Sequence, residues 1–599
     1  MWPRSSVSRY LSRPRLAKQS APDFWNLNRN LNKRQLQWSA PKLQSKQESP
    51  KQDLLSCKKQ ERNYASSQRP TVVSKSRKTV AIVGSGPAGF YTAKYLLSTS
   101  AAVDVHMYDQ WITPFGLVRY GVAPDHPEVK NVINDFEQVV AKSSNAGAGG
   151  SAHAGGGSAA PRFQYFGNVR IGDLSAGGRG VPLGGLQERY DAVVLATGAS
   201  FGKRSIRGPT HDAFSFVQWY NGFPTTDLGA DESVHTHYKD LPVRDRNEFF
   251  SSLKMDSTTL SEGGGARVSL FGLGNVALDA ARMLLSTSAL SVRHSDIVET
   301  ARLAIGKWNV RHVDLFGRRG AVQSQFGTKE LRELLHATDF RTVIDPLDLE
   351  RSLNSASREE LGSIKMKQRQ MKIFEQMAQN FEAMEKAKES TGEGLPVLQL
   401  RFLHQPVKYC GDSHTLSVRK TRLSGKPHEQ RAEFDPDAPA ISIRSSLVLE
   451  SVGFGFRPLD RRLLPYHEKA QQESCEELHG EQEDVGPLNV SGNGMGHVFE
   501  NVFCVGWLKR GPRGTIASNV PDAAETAAGV KQFLGLQPAA AEHDARTSSL
   551  SKNPKLEHAT SFDDWLRLKA VEEEGGKKAN KLAQKVVDVA EQMKCIRQA

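Results

Sequence analysis

Cysteine is scarce in this chain: five among 599 residues, Cys57, Cys410, Cys475, Cys504 and Cys595, with no CxxC and no other ligand-like spacing. A disulfide framework, a dithiol redox pair and a structural metal site are therefore not expected. Long apolar runs are missing as well. No stretch of about 18 hydrophobic residues occurs, the length that a membrane-crossing helix requires. Charge of one sign is also absent from most of the chain, despite a formal net charge of +13. Residues 1–79 hold 18 Lys plus Arg against 4 Asp plus Glu, and the remainder holds 61 against 62. A body so nearly neutral has no global field to draw in a polyanion, so nucleic acid is not expected as a partner. What is present is a 38% hydrophobic content, enough for two or three domains with their own cores.

The basic surplus sits in residues 1–77, a leader with Arg4, Arg9, Arg13, Arg15 and Lys18, several serines and no acid before Asp23. That is the composition of an organellar transit peptide, and no apolar core of a secretory signal lies near Met1. Mitochondrial import is expected, with a plastid as second choice and a retained disordered tail as the plain alternative. Residues 145–160 and 173–185 are dominated by small residues, and 225–265 and 468–484 are polar. All four are expected to be surface insertions too poor in apolar area to order themselves. Residues 357–390, dense in Lys, Glu, Gln and Met, are expected to be helical.

The first motif begins abruptly. Thr79-Val80-Ala81-Ile82-Val83 is an apolar run suited to a doubly buried strand. It enters Gly84-Ser85-Gly86-Pro87-Ala88-Gly89, a helical stretch to about Leu97, and a second strand, Val103 to Tyr108. In such a βαβ unit Gly84 allows the tight turn, Gly86 lets the backbone approach a pyrophosphate, and Gly89 permits close helix packing. Asp109 follows 25 residues after Gly84, about where an acid accepts hydrogen bonds from an adenosine ribose. A ligand-free glycine turn is the alternative.

A second unit runs from Arg267 to Phe271 into Gly272-Leu273-Gly274-Asn275-Val276-Ala277, with Ala at the third glycine position. No acid follows at the ribose distance. Instead the strand His312 to Phe316 ends in Gly317-Arg318-Arg319-Gly320. Two guanidiniums match the oxygens of a 2′-phosphate dianion, which favours NADP over NAD; an ordinary solvated basic turn is the alternative. Two dinucleotide motifs, together with Val193 to Ala199 read as a buried strand ending at a close-approach glycine, point to a flavoprotein with its own nicotinamide reductant.

The string Pro114-Phe115-Gly116-Leu117-Val118-Arg119-Tyr120-Gly121-Val122-Ala123-Pro124-Asp125-His126-Pro127-Glu128-Val129-Lys130 resembles the adrenodoxin reductase family of mitochondrial-type NADPH:ferredoxin reductases. The resemblance extends through Gly272 to Arg282, Gly317 to Glu333 and Gly506 to Ile516, covering most of residues 78–599. It implies an α/β fold of two Rossmann-like domains, with the FAD domain (78–199 and 451–599) split around the NADPH domain (200–450). It implies FAD on Ala88, Asp109, Leu117, Ile171, Trp507, Gly514, Thr515 and Ile516. NADPH then falls to Leu273, Gly274, Asn275, Val276, Arg318, Arg319 and Glu330, with Gly514 shared. The family usually has Glu at Asp109 and a hydrophobic or branched residue at Gly327. Asp125 and His126 suit either catalysis or a helix start before Pro127. Asp522 suits either a helix cap or the placement of a proton or water near the flavin.

The activity implied is hydride transfer from the nicotinamide to flavin, then two one-electron transfers to a [2Fe-2S] ferredoxin, serving iron–sulfur cluster assembly or monooxygenases. Ferredoxins of this class are acidic, so a local basic surface is expected, with Lys365, Lys367, Arg369 and Lys372 as candidates. A solvated helix face is their plain alternative. A monomer is expected, with peripheral association at the inner membrane left open. Two rivals remain: a glutamate-synthase-type NADPH flavoprotein, which would bring cluster cysteines, and a non-catalytic nucleotide sensor. A thioredoxin-reductase-like enzyme needs the dithiol pair that this chain lacks.

Overall fold

The computed structural model describes residues 78–99, 103–145, 162–172, 180–224, 243–255, 264–388, 394–467, 485–491, 494–536 and 558–598. The leader, and the insertion segments 146–161, 173–179, 225–242 and 468–484, lie outside the described residues.

Two six-stranded sheets organise the chain. The first runs His497–Phe499, Val502–Cys504, Ala192–Leu195, Lys78–Val83, Val103–Tyr108, Phe163–Phe166, parallel except at the 497–504 hairpin. The apolar runs are continuous because both faces are covered. Val80, Ile82, Val105, Met107 and Val194 face one core, while Ala81, Val83, Val193, Leu195 and Cys504 face another.

The second sheet is wholly parallel, in the order His211–Asp212, Leu447–Glu450, Ala266–Phe271, Val310–Gly317, Val397–Phe402, Arg341–Ile344. Val268, Leu270, Val313, Leu315, Leu398 and Leu400 enter the largest core of the molecule. Across neighbouring strands Asp314, fully buried, accepts from Arg267 at 2.6 Å and Arg401 at 2.5 Å. A smaller antiparallel sheet, His404–Cys410, Thr415–Ser424, Arg431–Phe434 and Ile441–Arg444, is appended.

The first sheet is thus interrupted by the second and completed afterwards, and the two connections run side by side. Phe201–Gly202 pairs antiparallel with Phe454–Gly455. Buried Glu450 fixes the outgoing connection by accepting from Ser205 N, Ser205 Oγ and Thr210 Oγ1 at 2.6, 2.9 and 2.7 Å. The fold is α/β, with two Rossmann-like sheets, the first split around the second.

The C-terminal segment is tied in by buried charge. Helix Phe562–Lys578 opens on a capping box of Ser561 and Asp564 and presents Glu572 to Arg119 at 2.6 Å. Lys130 and Lys585 both reach Asp296, at 2.7 and 2.9 Å.

Two expected insertions are shorter than the composition implies. Within 173–185, Val181 pairs with Ile171 and Leu183 starts the helix Leu183–Gln187, all three buried. Within 225–265, residues 243–252 form the helix Val243–Ser252, whose buried Phe250 packs on Phe216 and Trp219. In both cases a few apolar anchors suffice, because the neighbouring core supplies the partner surface. The expected helix 357–390 is two helices, Ser355–Ser363 and Lys365–Lys388, broken at Ile364.

Candidate dinucleotide sites and their junction

The first glycine turn separates the structural glycines from the one a ligand needs. Gly84 has φ +107°, and a Cβ there would meet the Ala196 carbonyl; a Cβ at Gly89 would meet the Gly84 carbonyl. Gly86 is different: a Cβ there meets nothing within 4 Å. The helix Pro87–Thr99 starts directly behind it, so its free amides face the same opening. Ala88 is buried, its Cβ against the close-approach position of Gly506. The residues fit a dinucleotide pyrophosphate.

Asp109 stands at the end of the second strand as expected, yet its carboxylate is engaged locally. It accepts from Ser85 N at 2.9 Å and Ser85 Oγ at 2.5 Å on one oxygen, and from Trp111 N at 2.9 Å on the other. Burial pushes its pKa up, opposed by these donors. The Asp109 side chain thus reaches back to the glycine turn. The Trp111-bonded oxygen keeps one acceptor position for a ribose hydroxyl.

The loop carrying the family-like string then crosses the turn. Phe115 N donates to Ser85 O, and Phe115 and Gly116 both have positive φ, 83° and 49°, setting Gly116 against Gly86. Leu117, half-buried, opens the short helix Leu117–Tyr120. Ile171 is buried with its side chain in the core, leaving only its backbone for a ligand.

From the returning half, Trp507 is half-buried and packs on Phe454 at 5.0 Å between ring centroids. Gly514 (φ +89°) and Thr515 are exposed and Ile516 is half-buried. Asp522 lies in the first turn of the helix Asn519–Phe533 and does not cap it, since Ser518 holds the N-cap position. Its buried carboxylate accepts from Gly506 N at 2.7 Å and Arg510 Nε at 2.9 Å, and Lys509 Nζ lies at 3.1 Å. It fastens the 506–510 turn to the following helix.

The second glycine turn repeats the division of labour. A Cβ at Gly272 (φ +135°) would meet the Ser451 carbonyl, whereas one at Gly274 meets nothing within 4 Å. Gly274 caps the helix Asn275–Leu285, and Leu273 and Val276 are half-buried beside it. Asn275 Oδ1 accepts from Gly327 N at 3.1 Å. Arg318 is exposed and Arg319 half-buried; among the described residues neither guanidinium forms a hydrogen bond or ion pair. Burial and the neighbouring Arg318 pull the Arg319 pKa down. Glu330 folds back on its own helix start, its carboxylate occupying the space a Cβ at Gly327 would take. The unusual glycine is what admits it.

The two halves meet at residues 125–128. Arg282, on the helix opened by Gly274, donates to Asp125 at 2.5 and 3.1 Å and to Asp279 at 2.9 Å. His126 Nε2 lies 3.3 Å from Glu333, and its Nδ1 3.2 Å from Glu128. The Glu333 bond outweighs burial and holds the His126 pKa up at about 9. The helix Pro127–Lys130 does start here, with His126 at its N-cap position and Pro in its first turn, but no side chain hydrogen-bonds its free amides.

No protein-family model matches the chain. It is 31% identical to the mitochondrial NADPH:adrenodoxin oxidoreductase of Homo sapiens, with 86% of this chain and 91% of that protein covered. The mitochondrial enzyme of the same name from Arabidopsis thaliana is 30% identical, covering 85% and 93%. The chain belongs to the NADPH:adrenodoxin oxidoreductase family. Among solved structures, Mycobacterium tuberculosis FprA in complex with NADPH superposes with a TM-score of 0.64 at 26% identity, covering 87% of this chain and 100% of that one.

Within this adrenodoxin reductase frame, sequence reasoning missed three partners: Ser85 for Asp109, Arg282 for Asp125, and Glu333 for His126. One signal was present, since Glu333 stands three residues after Glu330 and shares its helix face. The pairing itself joins residues far apart in sequence, which no local pattern reveals.

Proposed function

We propose that the protein oxidises NADPH on bound FAD and delivers electrons one at a time to an acidic [2Fe-2S] ferredoxin. FAD supplies the chemistry, accepting a hydride and releasing single electrons. The chain's own residues bind, orient and shield. Gly86 and Gly274 admit the two pyrophosphates, with helix amides behind them. Arg318 and Arg319 select the 2′-phosphate. The 114–128 loop, Trp507 and the 514–516 turn shape the space where the two rings would stack. FAD is assigned to 78–199 and 451–599, and NADPH to 200–450.

One observation carries this reading. The loop that crosses the first glycine turn is bonded, at Asp125, to the helix that opens on the second. A cationic His126 and the Asp125–Arg282 pair therefore sit at the junction of the two sites, placed to orient the nicotinamide and to hold a proton.

Docking is assigned to helix Lys365–Lys388. Lys365, Arg369 and Lys372 are exposed and recur at the spacing of one helix face. Lys367, expected with them, points elsewhere: it is half-buried and donates to the Ser324 carbonyl at 2.5 Å. Mitochondrial placement follows from the leader composition and the mitochondrial relatives. The deciding experiment is anaerobic reduction of the purified protein by NADPH and NADH in parallel, followed by a [2Fe-2S] ferredoxin. Flavin bleaching by NADPH and ferredoxin reduction are expected; a colourless protein that cannot be reconstituted with FAD would overturn the proposal.

A further inference from the structure

Lys367 occupies the inward face of its helix. Gln370, Met371 and Phe374, at helical spacing from it, are buried, and Gln370 Nε2 donates to the Phe326 carbonyl at 2.6 Å. Lys367 and Gln370 thus grip Ser324 and Phe326 of the turn that follows Arg319. The adjoining residue, Gln325, donates its amide to the Leu273 carbonyl at 3.1 Å, inside the second glycine turn. The lysine is therefore one residue away from backbone contact with the nucleotide-binding turn.

Its charge is poorly compensated. Burial and the Arg319 guanidinium both push the Lys367 pKa down, and Glu360 alone pulls it up. That buried carboxylate also acts on Arg319 and accepts from His428 N at 3.1 Å. Arg319 and Lys367 thus share one anion, with Arg318 as a further cation beside Arg319. A half-buried surplus of positive charge is costly unless a ligand supplies the missing negative charge, and a phosphate dianion does so. Lysine, with a flexible stem and three donors, suits a group that changes partner on binding.

We propose that Lys367 is a third cation of the 2′-phosphate subsite, leaving the Ser324 carbonyl for a phosphate oxygen when NADPH binds, and so helps to discriminate NADPH from NADH. This rests on Arg318 and Arg319 holding that phosphate. The ammonium donates one hydrogen bond to the dianion, no covalent bond changes, and the turn releases one carbonyl acceptor to solvent.

The test compares Lys367→Met, Lys367→Arg and the double variant Arg318→Ala/Arg319→Ala as FAD-loaded enzymes with ferricyanide as acceptor. Lys367→Met is expected to raise the KM for NADPH about tenfold or more while that for NADH stays within about twofold, with Lys367→Arg largely restoring the wild-type ratio. Calorimetry of the same proteins with 2′,5′-ADP and 5′-AMP reads binding alone, and only the 2′-phosphorylated nucleotide should weaken. Equal loss for NADPH and NADH would show a structural anchor of Ser324 and overturn the proposal. A flat response to Lys367→Met, with discrimination lost in the arginine variant, would overturn it and leave the arginine site standing. Unchanged discrimination in the arginine variant would remove the site itself.

Discussion

Asp125 and Arg282 lie 157 positions apart in sequence, yet their side chains share two hydrogen bonds, at 2.5 and 3.1 Å, with both about 6% exposed. The bond joins the loop over the first glycine turn to the helix of the second. It is reinforced by His126, whose Nε2 lies 3.3 Å from Glu333.

Replacing Arg282 by Met leaves the buried carboxylate of Asp125 and the half-buried one of Asp279 without the guanidinium that bridges them. Removing one partner of a buried pair typically costs about 3–5 kcal/mol. A lowered midpoint in denaturant is expected, with NADPH-to-ferricyanide turnover falling further than FAD content. The double variant Asp125→Asn/Arg282→Met should recover part of the stability.

His126 gives the pH dependence a sign. Its folded pKa, about 9, lies above the ordinary imidazole value near 6.5. The stabilisation is therefore complete below about 6.5 and is lost as pH rises through about 9. Glu333, Arg282, Asp125, Glu128 and Lys329 face this junction. Melting temperature should fall in that window, and kcat/KM for NADPH should lose activity along a basic limb near 9. In Glu333→Gln the limb should move down by about one unit or more.

The glycines should divide by readout. Gly272→Ala forces a Cβ into the Ser451 carbonyl at φ +135° and is expected to destabilise the protein by about 2–4 kcal/mol. Gly274→Ala projects into open space and should leave the melting temperature unchanged while raising KM for NADPH and NADH alike. Gly86→Ala should fold and lose affinity for FAD, measured as flavin retained on desalting.

Reversing charge at Lys365, Arg369 and Lys372 should raise the ferredoxin KM and flatten its salt dependence, leaving NADPH-to-ferricyanide activity intact. Loss of both activities together would end the docking assignment.

Glu450→Gln at the paired connections keeps acceptors for Ser205 and Thr210 but loses the charge-assisted bonds, and should lower stability by about 1–2 kcal/mol without changing the NADPH/NADH ratio.

Much of the fold was legible because its signals are local. The doubly buried strands 78–83 and 266–271 are continuous apolar runs, the glycine turns have fixed spacing, and Arg318-Arg319 stand side by side in sequence. The short ordered pieces Leu183–Gln187 and Val243–Ser252 were not legible, because their order comes from a neighbouring core rather than from their own composition.

By itself, then, the sequence determined two dinucleotide-binding units, their likeness to one family and the preference for a phosphorylated nicotinamide, all of which are written in contiguous residues. Tertiary structure alone decided that Asp109 is held by Ser85, that Asp522 is a fastener, that Arg282 and Glu333 complete the junction, and that Lys367 turns inward while Lys365 and Arg369 face out. The physical reason is the same in each case. A side chain's role follows from which group meets it across space, and hydrogen bonds and charge pairs between distant segments leave no periodicity in the chain that forms them.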